Sequence, residues 1–408
     1  MSIAELEARI DTLSTVILQQ KEVLADLERS KGALQRRLNG LRDPLGRLPV
    51  EISSEIFVQC LHSNQPPDTR YAPLLFLNVC NTWTDIALAT AGLWTSIRID
   101  RLKFDLASLL DAWLKRAGSR AASISLPHHL PVEIVPVLSR HAKTLQDLEM
   151  HHHDADIALV AAAGAFPMLK TLTIVGVDAS MFGSSPSATL DMLRVCPNAV
   201  DCTLDRVSYS LDEDELDDED MLVLPHMRHF KFTGLRNSGS SKAILPHLTL
   251  PGLETLFIAL QHVGVQNFVQ FLQRSSPPLQ QIIVSDPPPE WSLDEMTQCF
   301  PLLSTLTHFK LRRATARTQD LFLTALADSP HLLPNLSNFT LRMRFSPAQP
   351  WYQHLLNVLF ARSKHLHAVR IVWRFISQVP PEDVVVQLRQ FVADGMSIHV
   401  GSESHNYI

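Results

Sequence analysis

PNLSNFTLRM, residues 334–343, sets the reading of the fold. A proline is followed two residues later by Leu336, then by Phe339 and Leu341, with polar side chains at 338, 340 and 342. Apolar residues alternating with polar ones predict a strand with one buried face. The same figure returns along the chain. It stands at Leu145/Leu148/Met150, Leu169/Leu172/Ile174, Met227/Phe230/Phe232, Leu253/Leu256/Ile258, Leu279/Ile282/Val284, Leu306/Phe309/Leu311 and Leu366/Val369/Ile371. Ala199/Cys202/Leu204 is a degenerate copy, and the segments around Ile97 and Ile124 are weaker ones. From Leu148 onward the middle residues recur every 24 to 30 positions. Pro167, Pro197, Pro225, Pro251, Pro277 and Pro334 each precede the first apolar residue by two, where proline ends a helix and tolerates an extended start. Between the strands lie helical stretches such as 105–118, 189–197, 319–330 and 351–363.

A period of this length means stacked supersecondary units, none of which can bury its apolar face alone. The pattern L-x-x-L-x-L resembles the leucine-rich repeat, in an irregular form. The resemblance implies parallel strands on a concave face with helices outside, over residues 100–396. The asparagine or cysteine that usually follows the strand is absent, since Val177, Val207 and Leu235 take that place. The polar ladder under the strands is therefore expected to be weak. The other architecture open to alternating strands and helices, a doubly wound α/β sheet, would want a glycine-rich nucleotide loop, and none is present. Residues 382–395 are expected to cap the back of the array, with 397–408 a flexible tail.

The first 41 residues follow a different period. Written in sevens, one seam position holds Ile3, Ile10, Ile17, Leu24, Lys31 and Leu38, and the other Leu6, Leu13, Gln20, Leu27, Leu34 and Leu41. This predicts a coiled-coil helix. Branched residues in the first position and leucine in the second point to a parallel two-stranded form, a homodimer through residues 3–41. Asp43-Pro44 stops the helix. The alternative is a single helix folded back on the chain.

Between these parts, LPVEISSEIFVQCL (48–61) is more apolar than one face of a surface helix requires. NVCNTWTDIA (78–87) and GLWTSIRI (92–99) follow. A unit of this size leaves apolar surface for a partner. The three blocks in this order resemble the F-box in its F-box-like form, over residues 42–99. That resemblance implies three helices that dock onto Skp1, the adaptor of cullin-based ubiquitin ligases, with Leu48, Pro49, Ile52, Ile56, Val79 and Trp83 at that interface or in the small core behind it. The loop 63–70 is longer than in compact members.

Bulk properties narrow the function. The chain has 408 residues, 46% hydrophobic and 19% charged, with a net charge of −6. That charge disfavours nucleic acid as a partner. No apolar run is long enough for a membrane span, and the charged N-terminus does not read as a signal peptide. Five cysteines without CxxC spacing suggest reduced thiols in the cytoplasm or nucleus. Phosphate-loop, dinucleotide, zinc-protease and serine-hydrolase motifs are missing, so neither catalysis nor a cofactor is expected. HHHDAD (151–156) carries metal-ligand residue types but is read as a solvated loop. The acidic run 212–220, within a disordered loop 210–221, is read as a flexible insertion.

Strand positions facing away from the core run from acidic (Asp147, Glu149, Asp201, Asp205) through apolar (Phe257, Ile283) to basic (Lys310, Arg312, Arg342, Arg370). A client peptide with an apolar anchor and acidic or phosphorylated residues would suit the last two groups. Together the two resemblances imply the substrate-recognition subunit of a Skp1–cullin–F-box ligase as the expected function. Two alternatives are a scaffold whose F-box-like helices only cap the solenoid, and a hydrolase on an α/β core.

Overall fold

Leu253, Leu256 and Ile258 are fully buried, while Thr255 and Phe257 between them are half-buried on the other face of the strand. The same inside–outside alternation is laid down at every predicted strand in a computed structural model of the chain. The structure describes all residues except 1–2, 62–65, 101–104, 152, 177–185, 208–220, 235–243, 289–290, 330 and 377. The acidic run 212–220, part of the loop 63–70, and Val177 and Leu235 thus lie outside the described residues.

The chain divides into two compact units, Met1–Ile124 and Ser125–Ile408. The first contains α1 (Ile3–Arg42), α2 (Val50–Gln59), α3 (Asn81–Ala89), β1 (Ser96–Arg98), α4 (Leu106–Ala117) and β2 (Ala122–Ser125), whose last residue lies at the boundary. The second begins with α5 (Ile134–His141), β3 (Leu145–His151), α6 (Asp154–Ala162), β4 (Thr171–Val175), α7 (Pro186–Arg194) and β5 (Asp201–Val207). It continues through β6 (Leu222–Val223), β7 (His229–Gly234), β8 (Leu248–Thr249), β9 (Thr255–Ala259), α8 (Val265–Ser275), β10 (Gln281–Ser285) and α9 (Leu293–Cys299). It closes with β11 (His308–Arg312), α10 (Ala316–Asp328), β12 (Asn338–Phe345), α11 (Gln349–Arg362), β13 (Ala368–Phe375), α12 (Glu382–Ala393) and β14 (Ser397–Gly401).

In the second unit β3, β4, β5, β7, β9, β10, β11, β12, β13 and β14 lie side by side in chain order, every adjacent pair parallel. β6 and β8 form a separate short ribbon. Sequential parallel strands with a helix or turn between each make an α/β leucine-rich repeat solenoid. The inward residues stack from repeat to repeat. Phe309 lies on Phe322 at 4.6 Å and on Phe339 at 6.5 Å between ring centroids, and Phe300 meets both Phe309 and Phe322 edge-on.

The proline phase has a structural partner. Asn198, just after Pro197, donates from Nδ2 to the carbonyl of Pro167 at 2.9 Å. Asn335, just after Pro334, does the same to Ser304 at 2.8 Å. Each amide reaches the equivalent turn of the preceding repeat, so side chains bridge the turns ahead of the strands at these two points.

Arg362 is 4% exposed at the end of α11. It donates to the carbonyls of Leu326, Ser329, Leu332 and Leu333, capping the end of α10 and the turn that follows. Arg274 at the end of α8 similarly reaches Leu245 and Leu248. Burial lowers the pKa of both guanidiniums, yet the carbonyl partners satisfy the charge's hydrogen-bonding demand.

The C-terminus differs from the flexible tail that was expected. Residues 397–401 form β14, paired with β13, and residues 402–408 fold back on it. Asn406 accepts from the amide of Val400, the amide of Tyr407 donates to Val400, and the Tyr407 ring stacks on Trp373 at 6.0 Å. This repeat escapes the pattern because Gly395, at φ +100°, stands where earlier copies place leucine. Only glycine takes that backbone without strain.

In the first unit α1 is one uninterrupted helix ending before Asp43-Pro44, as expected. The Asp43 carboxylate accepts from the amide of Leu45 and from Trp83 Nε1, each at 2.9 Å. Asn39 Nδ2 donates to the carbonyl of Val79 at 2.9 Å.

Candidate functional site

The small helical segment after α1 is closed by three aromatic rings. Phe57 on α2 stacks on Phe76 at 4.1 Å, and Trp83 on α3 leans against them at 5.0 and 5.8 Å. Ser53, fully buried one turn before Phe57, donates to the carbonyl of Leu45. Trp94, also fully buried, donates to the carbonyl of Ala87 and meets Trp113 edge-on. The core of this segment is therefore complete without Leu48, Ile52 and Ile56.

Those residues point outward. Phe57 is 1% exposed, whereas Leu48 is 42%, Ile52 51% and Ile56 37% exposed. Ile52 and Ile56 are four apart and share one helix face. Pro49 is exposed, Val79 is half-buried, and Trp83 is half-buried with its ring in the aromatic cluster. The six predicted residues thus separate. Leu48, Pro49, Ile52 and Ile56 form a bare surface, while Trp83 belongs to the core behind it. Phe76 completes that core and is not singled out by the sequence, since LLFL (74–77) is four apolar residues in a row with no alternation to choose among them.

On the second unit the outward strand residues fall into register. Phe257, Ile283 and Lys310 are direct neighbours on β9, β10 and β11, and Thr340 and Arg370 continue the same rung. Arg312 and Arg342 are neighbours on the next rung. The predicted apolar and basic residues are therefore contiguous. The Phe257 ring is flanked by two cations, Arg312 at 5.6 Å and Lys231 at 5.7 Å from its centroid. Burial lowers the pKa of Lys310, and the positive charges of Arg342, Arg312 and Arg370 lower it further. A cluster of this kind favours an incoming anion.

One feature was invisible from sequence. Glu403, in the segment after β14, places its two carboxylate oxygens on Arg342 and Arg370. Two of the four predicted cations therefore already hold an acidic side chain of the chain itself. At the other end, Asp205 is taken up by Lys231 at 2.8 Å and by the Thr233 hydroxyl. Burial pushes its carboxyl up, but these bonds outweigh it and hold the pKa below the ordinary value.

The histidine-rich segment is more ordered than a solvated loop. Asp156 is buried in α6 and accepts from the amides of His129 and Leu130 at 2.9 and 2.7 Å, and the rings of His128 and His151 stack at 3.5 Å. His152 lies outside the described residues. Among the described residues no group of three or more histidine, cysteine, aspartate or glutamate side chains could hold a metal ion, and no helix is long and apolar enough to cross a membrane. All five cysteines are free. Burial pushes the thiols of Cys196 and Cys299 up to about 12, which removes them as nucleophiles at neutral pH.

No known protein family's sequence profile matches the chain, and no curated protein matches it. Among solved structures it is similar to a leucine-rich repeat-containing protein, LegL7, from Legionella pneumophila. The two are 12% identical, the alignment covers 73% of this chain and 98% of that one, and the TM-score is 0.40. The parallel strand register and the alternating burial carry the repeat fold by themselves.

Proposed function

We propose that the chain is a non-catalytic receptor subunit of a Skp1–cullin–F-box type ubiquitin ligase. The bare face of α2 docks onto a Skp1-like adaptor, and the open strand face of the solenoid holds the client. The observation that carries this reading is the exposure of Leu48, Ile52 and Ile56 beside a sealed Phe57–Phe76–Trp83 core. Apolar side chains left about half exposed outside a finished core gain from burial against a second polypeptide, roughly 1 kcal/mol for each one fully covered.

Client capture is assigned to Phe257 and Ile283 as the apolar anchor, with Lys310, Arg312, Arg342 and Arg370 receiving carboxylate or phosphate. The role in catalysis is proximity: a held client lysine meets the ubiquitin thioester at a raised effective concentration. Affinity purification of the full chain from cells tests the whole reading. A Skp1-like adaptor and a cullin are expected with the native chain and lost with Ile52→Asp. Recovery of neither partner with the native chain contradicts it.

A further inference from the structure

α1 carries an apolar seam that its own fold leaves bare. Ile10, Leu13, Ile17, Leu24, Leu27, Leu34, Leu38 and Leu41 are all exposed. The helix is fastened to its unit from another side. Asn39 bonds to Val79, and a Cβ at the neighbouring Gly40 would lie 3.8 Å from that of Cys80. What covers the seam can be read from its two polar members, Gln20 and Lys31, and from the charges beside it.

A parallel, in-register pair stacks Gln20 on Gln20 and sets the two Lys31 ammoniums against each other in an apolar layer, where like charges repel. Its flanking contacts would be Arg9 with Ser14, Val16 with Lys21, Val23 with Glu28, Ser30 with Gln35 and Arg37 with Arg42. None joins opposite charges and one opposes like charges. The branched-then-leucine alternation that suggested a parallel pair also lapses after Ile17, because the first seam position then carries Leu24, Lys31 and Leu38.

Reversing one helix changes every layer. Ile10 faces Leu41, Leu13 faces Leu38, Ile17 faces Leu34 and Leu24 faces Leu27, and Gln20 meets Lys31. The amide oxygen of Gln20 accepts from the Lys31 ammonium, so the two polar seam residues satisfy each other twice by symmetry. On one flank Glu7 meets Arg42, Lys21 meets Glu28 and Ser14 meets Gln35, pairing opposite charges wherever charges occur. Sliding the reversed helix by one heptad sets Gln20 against Leu24 or Leu38 and Lys31 against Leu13 or Leu27, burying both polar groups unpaired. A buried polar pair of this sort fixes register and orientation.

We propose that α1 is the docking surface for a second copy of this chain, bound antiparallel in the register that joins Gln20 to Lys31. The paired stretch is about 45 Å long, and the two Arg42 ends stand roughly 50 Å apart at ~1.5 Å per residue. Each copy's α2 face is thereby kept away from the other's.

Spin-label distances on the full chain test orientation directly. In a Cys60→Ser background, which removes the one exposed thiol, Asp11→Cys and Ala25→Cys each place a single label on the outer side of α1. The antiparallel pair predicts about 40 Å or more between labels at position 11 and roughly 20 Å at position 25. Roughly 20 Å at both positions means a parallel pair and overturns the proposal. A monomer by sedimentation at tens of micromolar, with no dipolar signal, also overturns it and leaves the seam to a different protein. As an independent check, Lys21→Glu should weaken self-association roughly tenfold and Lys21→Glu with Glu28→Lys should restore it. In the parallel pair these two residues face valines, and the double exchange would rescue nothing.

Discussion

The guanidinium of Arg370 holds the carboxylate of Glu403 at 2.7 Å. The other oxygen of the same carboxylate takes Arg342, so the basic end of the strand face is occupied by a residue that arrives from beyond the last strand. An acidic client must displace Glu403 or settle on Lys310 and Arg312. Glu403→Ala is therefore expected to tighten binding of an acidic peptide, by about two- to fivefold for a released charge pair at a partly exposed site. Fluorescence anisotropy with a labelled acidic peptide checks this. Weaker binding would mean that Glu403 helps build the site.

The hook that delivers Glu403 depends on Gly401. A Cβ there would lie 1.9 Å from the carbonyl oxygen of His405, a clash with the backbone of the returning segment. Gly401→Val is expected to release residues 402–408 and reproduce the Glu403→Ala phenotype. Limited proteolysis should show new cleavage after residue 401 while the rest of the solenoid stays protected.

Charge on the same face trades stability against binding. Folding lowers the Lys310 pKa, so the folded chain disfavours this proton, and stability rises as pH climbs from the folded pKa toward the ordinary lysine value. Below that window the charge opposes folding. Lys310→Met should therefore leave the denaturation midpoint at neutral pH unchanged or slightly higher, while acidic-peptide binding weakens. Arg312→Glu with Arg342→Glu should abolish client capture with the adaptor still bound, as read by co-purification of each.

Arg362 offers the sharpest stability test. Arg362→Met keeps much of the buried stem but takes the guanidinium away from four backbone carbonyls, of which, among the described residues, only those of Ser329 and Leu333 keep an amide donor. A loss of about 3 kcal/mol is expected from urea denaturation. An unchanged midpoint would mean that water replaces the guanidinium.

Much of this molecule is legible in its sequence, for reasons that differ along the chain. The strands show because each inward side chain must be apolar to stack on its neighbours, as with Leu256, Ile282 and Phe309. The last strand is missed because Gly395 removes the leucine that marks the others. The outward face is partly legible: the register that joins Phe257, Ile283 and Lys310 follows from the repeat itself. Glu403 on Arg342 does not follow, because a return of the chain after the final strand leaves no periodic trace. On α2 the composition showed too many apolar residues for one face. Only the position of Phe57 against Phe76 divides them into a core side and a bare side.

That division is what the account rests on most. Phe57→Ala should destabilise the first unit by about 3–5 kcal/mol, as truncation of a buried ring does. Ile52→Asp should leave its thermal midpoint within about 2 °C, as a surface change away from any buried feature does. Titration calorimetry of a purified Skp1-like adaptor into the full-length chain then decides the central claim. Saturable binding to the native chain, lost with the still-folded Ile52→Asp variant, is predicted. No binding heat with the native chain at two well-separated temperatures, or unchanged affinity with the variant, would contradict it.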